Sequence, residues 1–169
     1  MINERIKCKT LCAEFNNSAY ERAEARRDIL KRILGKTKEN FIIEPYFWCD
    51  YGYNIELGEN FYSNHNLVIL DCAKVKFGDN VFIAPNCGFY TAGHPLNIQD
   101  RNKGLEYAKP ITVGSNVWIG ANVTVLPGVT IGDNCTIGAG SVVTKDIPPN
   151  SLAFGNPCKV IREIDNSAR

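Results

Sequence analysis

The sequence predicts an all-β chain wound as a parallel β-helix, and two observations carry that prediction. From Val113 to Pro148 the chain divides into sixes, VGSNVW, IGANVT, VLPGVT, IGDNCT, IGAGSV and VTKDIP, each opening on Val or Ile. The fifth place holds a second, smaller set: Val117, Val123, Val129, Cys135, Ser141 and Ile147. A period of six matches neither the 3.6 of a helix nor the alternation of a strand. It matches a solenoid in which each six makes one short strand and one turn. The aliphatic residue points inward, and a nearby Gly or Asn takes the backbone angles of the corner.

The chain before the sixes divides in two. Residues 1–40 read as a helical segment packed on the same domain, with Leu11, Phe15, Ala19, Ala23, Ile29, Leu30, Ile33 and Leu34 as its buried sides. Asn16-Asn17-Ser18 is a break that can N-cap a second helix. Glu24, Asp28, Arg26, Arg27, Lys31 and Arg32 form the wet face, and Gly35 the stop. Residues 41–169 read as the β-helix with its C-terminal tail. The stretch Phe41–Ile55 is aromatic and strand-like, and the sixes begin loosely at Leu57 with a two-residue slip at Val75-Lys76. They stop near Tyr90 and resume about Tyr107, leaving a protruding loop around residues 91–110. After Pro149 the segment SLAFGNPCKVIREI is a last strand and tail, and the terminal NSAR is expected to be loose.

Composition narrows the function classes. A chain of 169 residues suffices for one domain with a real core. A net charge of +1 gives no electrostatic case for a nucleic-acid or membrane partner. No apolar run spans a bilayer and MINERIKCK has no signal-peptide core, so the default location is cytoplasmic. The seven cysteines are odd in number and form no disulfide framework. Cys87 and Cys135 fall where a small inward side chain is wanted. Cys8 and Cys12, one helical turn apart, could hold a metal. With only His65 and His94 in the chain, a zinc site from these is not expected, and no metal is assigned.

The sixes resemble those of the hexapeptide-repeat acyltransferases, which implies a left-handed parallel β-helix with three sixes per coil. Val113 then stacks on Ile131, Ile119 on Ile137 and Val125 on Val143. The handedness comes from this resemblance, since parallel crossovers are otherwise right-handed. Loops on rigid scaffolds carry chemistry, and acyl transfer to an alcohol needs a base for the hydroxyl proton. Neutral imidazole does this near pH 7, so His94, in the long loop, is the candidate. The alternative is a histidine held between Gly93 and Pro95 for turn geometry.

The segments EFNNS, DYGYNI, NFYSNHNL, APNCGFYTAGHP, GLEYAKPI, GSNVWIGANV, GAGSVVTKDIPPN and GNPCKVIREI resemble the maltose and galactoside O-acetyltransferase family over about Arg5 to Ile164. The resemblance implies transfer from acetyl-CoA to a sugar hydroxyl, with His94 as base and Asn64 holding the acceptor hydroxyl. Asp50, Tyr62, Glu106 and Arg5 match acceptor-side positions. On the donor side, Ala121 and Ala139 match positions lining the pantetheine arm. Thr144, Lys145, Lys159 and Arg162 match basic contacts to phosphate and their neighbour, and Trp118 points outward beside the coenzyme or a subunit contact. Lys159 stands where the galactoside branch has arginine, and Cys72 where it has an acid. Family members carry roughly twenty further residues before the place of Arg5, in an extension of the kind least constrained by packing. A pocket without them is more open or completed differently. The family also implies a homotrimer with sites between subunits.

Other readings stay open on the residues alone. The acceptor could be a non-sugar or a polysaccharide unit. A zinc carbonic anhydrase would need three histidines. A structural or ice-binding β-helix would need a longer outward ladder than Thr124, Thr130 and Thr136.

Overall fold

A computed structural model describes residues 2–165; the NSAR terminus lies outside the described residues. The chain opens with α1 (Ile2–Asn16) and α2 (Ala23–Ile33). A first coil follows, made of β1 (Phe41–Ile43), β2 (Phe47–Cys49) and β3 (Ile55–Glu56). The second is β4 (Phe61–Ser63), β5 (Leu67–Leu70) and β6 (Val75–Phe77). The third begins with β7 (Val81–Ile83) and β8 (Gly88–Tyr90), leaves the scaffold through β9 (Ala92–Gly93), α3 (Ile98–Asn102) and β10 (Tyr107–Ala108), and closes with β11 (Ile111–Val113). Then come β12 (Val117–Ile119), β13 (Thr124–Val125), β14 (Thr130–Ile131), β15 (Thr136–Ile137) and β16 (Val142–Val143). The end is β17 (Ser151–Phe154) and β18 (Lys159–Glu163).

These strands stack into three faces. The first runs β1-β4-β7-β12-β15-β17-β18, the second β2-β5-β8-β13-β16, and the third β3-β6-β11-β14. The coil strands pair in parallel, and the register joins Val113 to Ile131, Ile119 to Ile137 and Val125 to Val143, as expected from the family resemblance with its three sixes per coil. Alternation does the sorting: Val117 and Ile119 are buried while Trp118 between them faces out. Inside, Phe61, Phe77 and Phe89 pack edge to face with centroids 5.1 and 5.0 Å apart. Each such buried ring contributes roughly 1.5–3 kcal/mol.

Asparagine makes the corners. Asn60, Asn80, Asn116, Asn134 and Asn150 all hold positive φ on the edge between the third and first faces. Their side-chain amides form a ladder, each Nδ2 donating to the next Oδ1 at 2.9 to 3.0 Å. The short polar side chain tolerates the left-handed angles and pairs along the stack. The preceding glycines let the coils close up: a Cβ at Gly78 would lie 2.7 Å from the Gly114 carbonyl carbon.

Several expectations need correction. The second helix is capped at Arg22, with no side-chain cap bond, so Ser18 is not its N-cap. Ala19 and Ala23 are exposed. Arg26 leaves the wet face: it is buried, 4.7 Å over Phe15 and 4.8 Å over Tyr20, with Nη1 donating to the Ser18 carbonyl. A planar guanidinium can stack in this way where an ammonium cannot. Gly35 does end the second helix region, but as a close approach, since a Cβ there would meet the Tyr53 carbonyl oxygen at 2.0 Å. The regular coil starts at Phe41 rather than Leu57, because β1 already pairs with β4. Val75 and Lys76 sit in a strand, so the slip belongs to the corner 71–74 before them. The sixes resume at Ile111, and the tail is two strands, with β18 turning back antiparallel on β17.

The extra residues share one edge. Between the second and third faces the corner is residues 50–54 in the first coil, 71–74 in the second, and the whole excursion 91–110 in the third. Lengthened corners stacked on one edge create relief on an otherwise flat prism.

Candidate active site

The lengthened edge gathers part of the expected site. Cys8, Leu11, Cys12 and Phe15 are the buried face of α1, and Arg5 lies one turn before Cys8 on that face. Docking this face on the first coil delivers the guanidinium to the corner after β2. There Arg5 Nε donates to Asp50 Oδ1 at 3.1 Å and Nη2 to Oδ2 at 2.8 Å. This paired fork is the strong form of an ion pair, and Asp50 is almost wholly buried beneath it. Arg5 also lies 5.6 Å over the Tyr51 ring. The carboxylate holds the guanidinium protonated well above its ordinary range.

The line continues outward. Cys72 Sγ donates to Asp50 Oδ2 at 3.6 Å. Burial, with the Asp50 charge beside it, pushes the Cys72 thiol up to about 11, and the Glu106 charge acts in the same direction. Glu106 Oε1 stands 3.6 Å from His94 Nε2. Arg5, Asp50, Cys72, Glu106 and His94 therefore follow one another along a single edge.

His94 is held by its own loop. β9 and β10 pair antiparallel, with Tyr107 opposite Gly93 and Ala108 opposite Ala92. Gly93 is required because the Tyr107 ring lies across it; a Cβ would meet that ring at 2.6 Å. The base of the loop is tied by Thr91, whose Oγ1 donates to the Leu70 carbonyl at 2.6 Å and accepts from the Ala73 N–H at 3.0 Å. Beyond it, Asn97 caps α3 by accepting from the N–H groups of Gln99 and Asp100. His94 Nδ1 lies 3.1 Å from the Leu105 carbonyl. A carbonyl only accepts, so Nδ1 carries the proton and Nε2 presents its lone pair. The side chain is 51% exposed, which leaves Nε2 open to a ligand.

The remaining candidates lie elsewhere. Asn64 follows β4 on the edge between the first and second faces, and its Oδ1 accepts from the His65 N–H at 2.7 Å. It is Asn66, not Asn64, that takes the positive-φ corner. Tyr62 faces outward from the first face. Ala121 and Ala139 share the Asn64 edge, with the Gly140 N–H donating to the Ala121 carbonyl at 2.8 Å. Thr144 and Lys145 stand at the corner after β16, while Lys159 and Arg162 lie on β18, with Arg162 Nη1 donating to its neighbour's carbonyl, that of Glu163. Trp118 is 58% exposed on the first face, paired between Phe82 and Thr136. One chain thus joins His94 to the acceptor-side acid and arginine, but sets Asn64 on a different edge.

Sequence reasoning missed Asp71, Thr91 and Tyr51. Asp71 Oδ1 accepts from the N–H groups of Asp50 and Tyr51 at 3.0 and 2.9 Å and so shapes the corner. The signal was available: Leu67, Ile69 and Asp71 alternate inward, which places an acid at a buried phase.

Comparison with known proteins follows the same lines. A family model for bacterial transferase hexapeptides (six repeats) matches residues 110–145, and one for the maltose acetyltransferase hexapeptide capping motif matches residues 1–38. The galactoside O-acetyltransferase of Escherichia coli (strain K12) is 51% identical over 163 residues, covering 96% of this chain and 80% of that one. The crystal structure of a maltose O-acetyltransferase from Clostridium difficile 630 superposes with a TM-score of 0.96 at 52% identity, covering 98% of this chain and 88% of the other. A galactoside acetyltransferase in complex with coenzyme A gives 0.95 at 50% identity, covering 98% and 82%. The coil is the left-handed hexapeptide β-helix of these relatives.

Proposed function

The chain belongs to the maltose and galactoside O-acetyltransferase family and is an acetyltransferase, and from that premise we propose that it moves an acetyl group from acetyl-CoA to a sugar hydroxyl by direct attack, with His94 as general base. The observation that supports this most is the His94 geometry: Nδ1 tethered to Leu105, and Nε2 open beside Glu106.

Each step then has a residue. The Arg5–Asp50 fork and Cys72 wall the acceptor end, where a bound sugar meets fixed polar groups. His94 Nε2 takes the hydroxyl proton as the oxygen attacks the thioester carbonyl. Glu106 faces the imidazolium that forms. A backbone N–H stabilises the tetrahedral oxyanion, which collapses to release the coenzyme thiolate, and His94 returns its proton to that sulfur. No covalent acetyl-enzyme is needed. The coenzyme supplies the activated acetyl group. Its extended arm fits an edge of small residues such as Gly120, Ala121 and Ala139; at Gly140 nothing lies within 4 Å of where a side chain would go. Thr144, Lys145, Lys159 and Arg162 supply cations and a hydroxyl at the nucleotide end, and Trp118 a flat apolar wall.

The separation of Asn64 from His94 supports a site shared between copies. In a cyclic trimer unlike edges of neighbours meet, so the His94 edge of one copy faces the Asn64 edge of the next. The loop also leaves Leu96 92% and Ile98 64% exposed, an apolar tip suited to a neighbour's surface.

A panel of mono- and disaccharides assayed with acetyl-CoA for free thiol release tests the activity. Sugar-dependent release is expected; release no greater than without acceptor, over the whole panel, would sink the reading.

A further inference from the structure

Three thiols converge beneath the acceptor corner, and the reaction uses none of them. Cys8 and Cys12 come from successive turns of α1, and Cys49 is the last residue of β2. The sequence placed the first two side by side; only the docking of α1 on the first coil adds the third. Sγ of Cys49 lies 3.4 Å from that of Cys8 and 3.8 Å from that of Cys12, and all three sulfurs fall within 4.8 Å of one another. All are buried, with exposures of 4%, 0% and 3%.

We propose that Cys8, Cys12 and Cys49 form a closed three-sulfur site for a soft monovalent ion, copper(I).

The geometry favours a ligand set over ordinary core packing. The buried cysteines inside the coil behave differently: Cys87 and Cys135 send their S–H groups to backbone carbonyls, of Gly120 at 3.2 Å and Pro148 at 3.1 Å. The sulfurs of the trio turn toward each other, with Cys8 Sγ also 3.7 Å from the Cys49 carbonyl. Three sulfurs around one ion at about 2.3 Å stand roughly 4.0 Å apart, so the 3.4 Å pair would open by about 0.6 Å and the 3.8 Å pair by about 0.2 Å. Among the described residues no histidine or carboxylate completes the cluster, and Asp50 next to Cys49 is held by Arg5. Zinc, almost always four-coordinate in structural sites, lacks its fourth ligand here. Copper(I) is soft and selects thiolates.

Charge and access agree. If two of the three S–H protons leave to solvent as the ion enters, the bound unit carries one negative charge, and no electron is transferred. Arg5 stands one helical turn away on α1, its guanidinium paired with Asp50. A cleft lined by Lys7, Cys8, Leu11, Tyr51 and Tyr53 reaches Cys8, the outermost of the trio, from outside. A bound ion would pin α1 to the first coil and so fix Arg5 at the acceptor corner. The inference does not rest on the acetyl-transfer reading.

The test presents copper(I), anaerobically and as its bicinchoninate complex, to the reduced full chain. One ion per chain should leave the chelator, and X-ray absorption should show three sulfurs at about 2.3 Å. Cys8→Ala and Cys49→Ala should each weaken retention about a hundred-fold or more, whereas Cys87→Ala should leave it unchanged. Copper should raise the melting temperature of the wild type and not that of Cys8→Ala. No withdrawal from the chelator, a shell containing nitrogen or oxygen in place of the third sulfur, or tighter retention of zinc than copper would overturn the proposal. Should either variant fail to fold, the wild-type absorption spectrum decides alone.

Discussion

The Asn16 side-chain amide pairs with both backbone groups of Phe47, Nδ2 donating to the carbonyl at 3.0 Å and Oδ1 accepting the N–H at 2.8 Å. β2 is the outermost strand of its sheet, so an amide at the end of α1 stands in for the missing strand. Solenoid ends need such closure, because an open edge leaves peptide groups unpaired and invites other chains. Asn16→Ala would leave two buried groups unpaired and should cost about 2–3 kcal/mol. The check is a denaturant midpoint that falls while the slope holds; an unchanged midpoint would refute it.

The asparagine ladder predicts an order of substitutions. Asn116 sits at φ 57° between Asn80 and Asn134. Both Asn116→Gly and Asn116→Ala lose the ladder bonds, but alanine adds a left-handed penalty of roughly 1–2 kcal/mol. Thermal melts should therefore rank wild type above glycine above alanine.

Asp71 predicts a dependence on pH. Its Oδ1 serves two backbone N–H groups, while Oδ2 has no partner among the described residues. Burial raises its carboxyl above the ordinary 3.8, so the fold favours the protonated form. Its contribution to stability is then greatest below the unfolded value and declines as pH rises through the folded one. Asp71→Asn keeps the shape without the charge. Its stability relative to wild type should rise from acid to neutral pH, and paired melts at pH 3.5 and 7 measure the difference. Asp71→Ala, which abandons both N–H groups, should lose about 2 kcal/mol at pH 3.5 and less at pH 7, where the buried charge already weakens the wild type.

Removing the proposed base should separate chemistry from folding. His94→Ala is expected to lower kcat by about a hundred-fold or more. Its melting temperature should hardly change, since the side chain is half exposed. Steady-state kinetics beside a melt reads both, and near-full turnover would remove His94 from the mechanism.

A site shared between copies predicts complementation. His94→Ala and Asn64→Ala should each be nearly inactive alone. Refolded together in equal amounts as trimers, they should regain about a quarter of wild-type activity, because one site in four then receives both native side chains. If both groups came from one copy, no activity would return.

Much of the scaffold was legible because its period is local. Inward and outward places follow from spacing alone, and Val113, Ile119 and Val125 found the partners that three sixes per coil, implied by the family resemblance, require. Exceptions arose where a side chain answered to something distant. Arg26 reads as a wet-face charge until Phe15 and Tyr20 are seen to sandwich it. The slip at Val75-Lys76 was misplaced because only pairing with β3 and β11 shows which residues are strand.

The amino-acid order by itself determined the solenoid, its inward ladder, the interrupting loop and the residue types available for chemistry, because a repeat of six constrains each coil through its immediate neighbours. Only the tertiary structure decided that Arg5 grips Asp50, that Cys49 joins Cys8 and Cys12, and that His94 and Asn64 occupy different edges. Those relations depend on how α1 docks against the first coil and on which corners hold the added residues. Both are set by packing between segments far apart in the chain, which no local period encodes.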